Sequence, residues 1–409
     1  MIDQNTFRNL PVFITSMSRW DGDVSSASLS LAKVLSRENE VYYIDFPYSA
    51  ADVWRERKSK TVKSRMKALL WGKNFTRKVP GYPEKFTAVT PRAVIPNYSM
   101  AEGSLYEWTS DINNRILARI IKKICKKNGI KDYILINSFN PLYLSEVNRY
   151  LEPTLSVYHS RDAIEEVPGH GLRKENICIK NYDLVMATSR QLCRKIGERN
   201  ERIINYFPNG GDVKLFRTAV TENLIKPTEL EEIKTPIIGY TGALCQRIDY
   251  ELLVKILEEN KDKTVVMVGP RKDKEFTKIN LDQYPNIRFT GPKRIEELPS
   301  YLKYFDCAII PFRKNNLTGG IYPLKINEYL AAGRSVVSTD FSEDINQFGQ
   351  HIKLAATHED FLKAIPEAIS EKDEKLEERF LASQENSWEN RLELFWSLAF
   401  NTYSGKKSV

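Results

Sequence analysis

The sequence predicts an α/β protein built of two doubly wound domains. Three observations carry this. Short apolar, β-branched runs alternate with amphipathic helical stretches along nearly the whole chain. The alternation is interrupted by a polar stretch over 221–235, whose composition suits a linker. A chain of 409 residues is also long for a single hydrophobic core.

The elements follow in order. Pro11 to Met17 reads as a first strand, Ser25 to Leu35 as an amphipathic helix and Val41 to Phe46 as a second strand. A basic segment comes next, helical from about Lys60 to Leu70. Phe86 to Thr90 reads as a strand and Leu105 to Lys127 as a long helix. Tyr133 to Asn137, Thr154 to Tyr158 and Leu184 to Ala187 read as further strands with helices between them. A second alternating block runs from Pro236 to about Ala356. The tail is an amphipathic helix capped by Ser387, with Trp388, Leu392 and Phe395 on one side.

Composition narrows the function classes. The five cysteines are scattered, with no Cys-x-x-Cys, which argues for a reducing compartment and against a disulfide framework or zinc site. The four histidines are equally dispersed, so no metal is expected. The N-terminus lacks a basic stretch followed by a long apolar run, and no apolar stretch approaches the length of a membrane span. The expected location is cytoplasmic. The net charge of +8 is concentrated in one place: ten Lys and Arg lie between Arg55 and Lys78 against Glu56 alone, leaving the remainder close to neutral.

The most informative stretch is 315–339, NNLTGGIYPLKINEYLAAGRSVVST. It reads as a loop, a helix from about Leu324 to Ala332, and a β-branched strand from Ser335 to Thr339. Pro323 fits the first turn, where its missing N–H costs nothing, and Gly333 fits the left-handed position after the last turn. Lys325 and Glu328 are three apart, hence on one face near the helix start. Unpaired N–H groups, partial positive charge and a lysine suit phosphate, and the glutamate can accept from sugar hydroxyls. A diphosphate joined to a ribose matches that device. Gly242, directly after the first strand of the second block, would let backbone approach a phosphate, as would Gly319 and Gly320; a plain turn glycine is the alternative. Arg247 is either a second phosphate cation or a solvated arginine, and Tyr322 lines either the nucleotide or the core.

This stretch resembles the nucleotide-sugar site of GT-B glycosyltransferases, in particular teichuronic-acid-type enzymes and the xanthan glucuronosyltransferase. Further phrases stand in that family's order: Gly239-Tyr-Thr-Gly-Ala-Leu, Asp249-Tyr-Glu-Leu-Leu, Val268-Gly-Pro, Asn286-Ile-Arg-Phe-Thr-Gly-Pro, Glu297-Leu-Pro-Ser-Tyr-Leu and Phe305-Asp-Cys-Ala-Ile-Ile-Pro-Phe. Phe207-Pro-Asn-Gly-Gly-Asp resembles its turn between domains. The resemblance implies two Rossmann-like domains facing across a cleft: 1–225 for the acceptor and 226–384 for the nucleotide sugar, with 385–409 crossing back to the first domain. One departure matters. Many retaining members carry Glu-x7-Glu here, but Gly320 stands where the first Glu belongs. That counts against a retaining mechanism and leaves Glu328 to bind nucleotide.

In the first domain, Asp162 lies in the loop past the strand at 154–158, where active sites of open sheets sit. The resemblance favours it as the general base of an inverting transfer; a helix cap is the alternative. His159 is its understudy or a structural histidine, and Glu165 and Glu166 read as a solvated helix face. The loop from Ser18 to Ser26, with Trp20 and Asp21, either touches the acceptor or caps the following helix. Arg55–Lys78, with Trp54, Leu69, Leu70, Trp71 and the basic helix Arg115 to Lys127, suits an anionic membrane surface. A solvated loop is the alternative; nucleic acid is not expected, since no recognised module accompanies the charge. The expectation is a peripheral, metal-independent transferase moving sugar from a nucleoside diphosphate, UDP by resemblance, to a lipid-linked or surface-polysaccharide acceptor of the cell envelope. The alternatives are a nucleotide-sugar epimerase or a binding protein that has lost catalysis.

Overall fold

The strands of the first half, apart from two short edge strands, are buried along their whole length, which is the signature of a parallel sheet covered by helices. In the computed structural model they are β1 (Val12–Ser16), β2 (Val41–Ile44), β3 (Thr76–Arg77), β4 (Phe86–Val89), β5 (Ile134–Ser138), β6 (Leu155–Ser160), β7 (Leu184–Ala187) and β8 (Asn205–Tyr206). The structure describes residues 2–22, 26–166, 169–371 and 374–407. Residues 23–25, which belong to the expected acceptor loop and helix start, lie outside these, as does the side chain of Glu166.

The first sheet runs in the order β3-β4-β2-β1-β5-β6-β7-β8. All its pairs are parallel except β3 with β4. β1 pairs on one side with β2 and on the other with β5, so the winding direction reverses between β1 and β5. The second sheet comprises β9 (Ile237–Thr241), β10 (Thr264–Val268), β11 (Ile287–Gly291), β12 (Cys307–Ile310), β13 (Val336–Thr339) and β14 (Lys353–Ala355). Its order, β11-β10-β9-β12-β13-β14, repeats the arrangement with the reversal between β9 and β12. In such sheets ligands bind outside the carboxyl ends of the strands at that reversal.

The chain divides into two compact units. The first holds Met1–Thr188, Leu192–Phe207 and Leu392–Val409, and the second Ser189–Gln191 and Pro208–Arg391. The break falls at Phe207/Pro208, ahead of the polar stretch read as a linker. Val213, Phe216 and Leu230 explain this, because they are buried in the core of the second unit. The last helix (Trp388–Lys407) begins in the second unit, where Ser387 Oγ accepts from the Asn390 N–H at 3.2 Å. From Leu392 onward it belongs to the first, where Phe7 packs against Trp396, Phe400 and Tyr403.

The basic segment is helical over Lys60–Trp71, started by the Ser59 cap and stopped at Gly72 in the left-handed conformation (φ +59°). Four of its residues, Val62, Arg65, Ala68 and Leu69, are buried. Arg65 is 4 % exposed: it donates to Asp21 at 2.8 Å and reaches Asp45 at 3.5 Å. Leu69 is packed with Val53 and Val62. Lys60, Lys63 and Lys67 are exposed, as are Trp54, Leu70 and Trp71. In the helix Ser104–Asn128 Ile120 and Ile124 are core, while Arg119, Lys122, Lys123, Lys126 and Lys127 are exposed. Among the described residues no helix is long and apolar enough to cross a membrane.

Candidate active site

The reversal point of the second sheet gathers the residues read as a nucleotide-sugar site. β9 ends at Thr241, and Gly242 follows with φ +139°, a conformation that favours glycine. A Cβ at this position would stand 2.5 Å from Lys325 Cε and 2.8 Å from its Nζ. Lys325 therefore lies directly against the Gly242 backbone. It comes from the helix Leu324–Ala331, whose Pro323 cap gives no side-chain hydrogen bond to the first turn. Helix and strand are tied together, for the Thr241 N–H donates to Tyr329 Oη at 2.8 Å.

The charges here are poorly solvated. Burial lowers the Lys325 ammonium from its ordinary range; Glu328 opposes that shift and Arg247 adds to it. Burial raises the Glu328 carboxyl to about 7, with Lys325 opposing and Asp212 adding. Two cations, Lys325 and Arg247, thus share one neighbourhood, and an anionic ligand would relieve their repulsion. Asp212 was missed as a neighbour of Glu328, although it ends the Pro-Asn-Gly-Gly-Asp turn noticed in the sequence. Here it caps the helix Val213–Thr221, accepting from the Leu215 N–H at 3.2 Å.

A carboxyl whose folded pKa is raised contributes stability that is fully present below its ordinary value near 4.5 and lost as pH rises through about 7. Glu328→Gln escapes that loss. Its melting temperature, relative to the native protein without ligand, should therefore rise between pH 5 and pH 8. A difference that stays flat across this range would mean that Glu328 is not held neutral by burial.

The remaining donor-site expectations divide. Gly319 closes a one-turn helix, Asn316–Gly319, where a Cβ would meet Gln191 Oε1 at 2.9 Å, and Gly320 follows as its cap. Tyr322 is a correction. It is 4 % exposed, its hydroxyl is bonded with Asn327 and Asn386, and its ring packs on Phe348, so it belongs to the core.

In the first unit, Asp162 stands two residues past β6 and is part-buried, next to Arg161. His159 is also a correction. It is fully buried, its Nε2 lies 3.2 Å from the Phe207 carbonyl oxygen, and burial drives its pKa well down. It is a neutral structural histidine. Trp20 and Asp21 follow β1, with the Trp20 N–H donating to Asp45 at 3.1 Å and Asp21 accepting from Arg65. Among the described residues no group of three His, Cys, Asp or Glu is placed to hold a metal.

Residues 235–371 match the family model described as Glycosyl transferases group 1. The match covers about a third of the chain, so this segment is similar to that family. It contains Gly242, Arg247, Lys325 and Glu328. A Bacillus subtilis (strain 168) protein named as a teichuronic acid biosynthesis glycosyltransferase, TuaH, is 25% identical over 166 residues, 40% of this chain and 41% of that protein. The match thus spans about two fifths of the relative's length. Among solved structures, sucrose-phosphate synthase from Thermosynechococcus elongatus gives a TM-score of 0.66 at 15% identity, covering 97% of this chain and 100% of that one. Anabaena HepE, solved with UDP, gives 0.60 at 15% identity over 94% and 98%. The same protein solved with UDP-glucose gives 0.59 at 13% identity over 97% and 100%. The fold shared with these structures is GT-B.

Proposed function

We propose that the chain transfers a sugar from a nucleoside-diphosphate sugar, with UDP as carrier, to a lipid-linked or surface-polysaccharide acceptor. The observation that carries this is the Lys325 ammonium lying against Gly242 at the reversal point of the second sheet, with Glu328 and Arg247 beside it. The first unit would bind the acceptor and the second the donor. In the reaction Asp162 takes the proton of the acceptor hydroxyl as its oxygen bonds to the anomeric carbon. The bond from that carbon to the diphosphate breaks, the anomeric centre inverts, and UDP leaves. Lys325, Arg247 and the uncapped start of the helix Leu324–Ala331 stabilise the charge that develops on the diphosphate. On this reading the transfer needs no metal.

The test is a thermal-stabilisation screen of nucleotide sugars, followed by assay of UDP release from the stabilising compound with EDTA present. Stabilisation by a UDP-sugar and EDTA-resistant turnover are expected. A protein that no nucleoside diphosphate stabilises would overturn the reading, and loss of turnover in EDTA would overturn the metal-independent part.

We further propose that the exposed face bearing Trp54, Leu70, Trp71, Lys60, Lys63 and Lys67 rests on anionic membrane at the cytoplasmic side. Exposed indoles and clustered lysines suit the headgroup region. Replacing the three lysines with Gln should reduce binding to anionic vesicles by roughly a hundredfold, at about 1 kcal/mol per charge. Arg65 is left intact because it is buried against Asp21. Binding should also weaken with added salt. Vesicle co-sedimentation measures both effects, and a native protein that stays in the supernatant at low salt would make this face a solvated one.

A further inference from the structure

The last turns of the long helix Ser104–Asn128 carry Lys123, Lys126 and Lys127, spaced so that all lie on one face. Cations at a helix C-terminus complement its dipole, and the lysines alone would mean no more than that. What stands opposite them makes the difference. The helix Lys60–Trp71 ends at Gly72, and Asn74 follows with a left-handed backbone (φ +53°), a conformation that asparagine tolerates. The chain then enters the edge strand β3, which sets Asn74, Phe75 and Thr76 across from the lysines. Together these residues line a cavity of about 510 Å³, within the size range of small-molecule sites.

Part of the wall is held in place. Phe75 packs against the core of the first unit. Lys123 Nζ donates to the Gly72 carbonyl oxygen at 3.1 Å and stands 4.7 Å from the centroid of the Phe75 ring. An ammonium has three N–H donors, so others remain for a ligand. No carboxylate lines the cavity, and among the described residues Lys123, Lys126 and Lys127 form no salt bridge. Their mutual repulsion is therefore relieved only when an anion enters. The Asn74 amide and the Thr76 hydroxyl offer neutral donors from the other side. This set matches an oxyanion of high charge, such as a phosphate monoester, which carries about two negative charges near neutral pH.

The position of the cavity indicates what carries the phosphate. Gly72, to which Lys123 is bonded, directly follows Leu70 and Trp71, exposed residues of the face assigned above to the membrane. The geometry points to a headgroup site, in which Lys123, Lys126 and Lys127, with Asn74 and Thr76, bind the phosphate monoester of an anionic lipid. The lipid as carrier rests on the membrane-face reading; the affinity for the monoester does not.

Two measurements separate the site from its carrier. In solution, glycerol 3-phosphate is titrated calorimetrically into native protein, into Lys126→Gln combined with Lys127→Gln, and into Lys60→Gln combined with Lys63→Gln and Lys67→Gln. All the substituted lysines are exposed, so both variants should fold. The first variant should lose at least about tenfold in affinity, the loss expected from one charge-assisted bond, and the second should bind as the native protein does. Any probe taken up at the donor site cancels in the comparison, because Lys325 is unchanged throughout. Equal affinity in native protein and the first variant, or no binding to native protein, overturns the proposal. The second measurement uses phosphatidylcholine vesicles containing either phosphatidate or phosphatidylglycerol, matched in surface charge. Native protein should prefer phosphatidate, the monoester, by at least about tenfold. The first variant should lose that preference, whereas the second should bind both vesicles more weakly and keep it. Equal binding of native protein to the two vesicles overturns the lipid carrier and assigns the site to a soluble phosphate. If native protein binds neither vesicle at low salt, the membrane face falls and the lipid carrier with it, while the calorimetric difference still decides the site.

Discussion

Lys325→Ala should lower nucleotide-sugar affinity by about 10- to 150-fold, because a charge-assisted hydrogen bond to a diphosphate is worth roughly 1.5–3 kcal/mol. The ammonium nitrogen stands 2.8 Å from where a Gly242 Cβ would be, so it lies close against the backbone that a phosphate would approach. Its removal has a second consequence. Lys325 is the cation that holds down the Glu328 pKa, while burial and Asp212 push it up. In the variant Glu328 should stay protonated to higher pH, and the residual binding should become more pH-dependent above neutrality. The fold should survive, since Lys325 is a part-buried side chain at the end of a sheet and not a member of its core. Gly242→Ala is the companion variant: it leaves the charge in place but drives its methyl group into the lysine, and should weaken binding in the same assay. Isothermal titration with the stabilising nucleotide sugar measures both. Unchanged affinity in a folded Lys325→Ala protein would remove this lysine from the site.

Asp162→Asn should slow turnover by about 10²- to 10⁴-fold, the usual contribution of a positioned general base. Asparagine has nearly the same shape and can still accept a hydrogen bond, so any capping role is preserved while the proton acceptor is lost. Donor affinity should be nearly unchanged, because the residues proposed to hold the donor lie in the other unit. The combination of lost turnover and retained binding is what distinguishes a base from a structural aspartate. If turnover stays near native, Asp162 is a cap, and the inverting stereochemistry proposed above loses its support. Product anomeric configuration, read by proton NMR, tests that stereochemistry independently.

Much of the fold was legible because its signals are local. Strand and helix periodicities depend on residues within one turn or one strand of each other. The strand expected over Pro11 to Met17 is observed over Val12–Ser16, and the helix expected over Leu105 to Lys127 over Ser104–Asn128. The loop and helix carrying Lys325 and Glu328 were equally plain, being set by Pro323, Gly333 and a three-residue spacing within one segment. The edge strand β3 was not seen: its two residues, Thr76 and Arg77, sit inside a charged segment with no apolar alternation and are held by pairing with β4.

The sequence by itself determined the order of the longer elements and the position of the helix carrying Lys325 and Glu328. Which side of a helix meets which partner was decided only by the tertiary structure. Arg65 reads as one more positive charge in a basic run, yet Asp21 and Asp45 draw it inside. His159 and Tyr322 read as polar site residues, yet each is buried, with His159 Nε2 facing the Phe207 carbonyl oxygen and the Tyr322 hydroxyl bonded with Asn327. Asp212 becomes a neighbour of Glu328 across more than a hundred residues of chain. Ser28 reaches Ser138 across 110. The physical reason is the same in each case. Burial and pairing of charge depend on which strand ends the sheet order brings together, and residues far apart in the chain leave no periodic trace of that meeting.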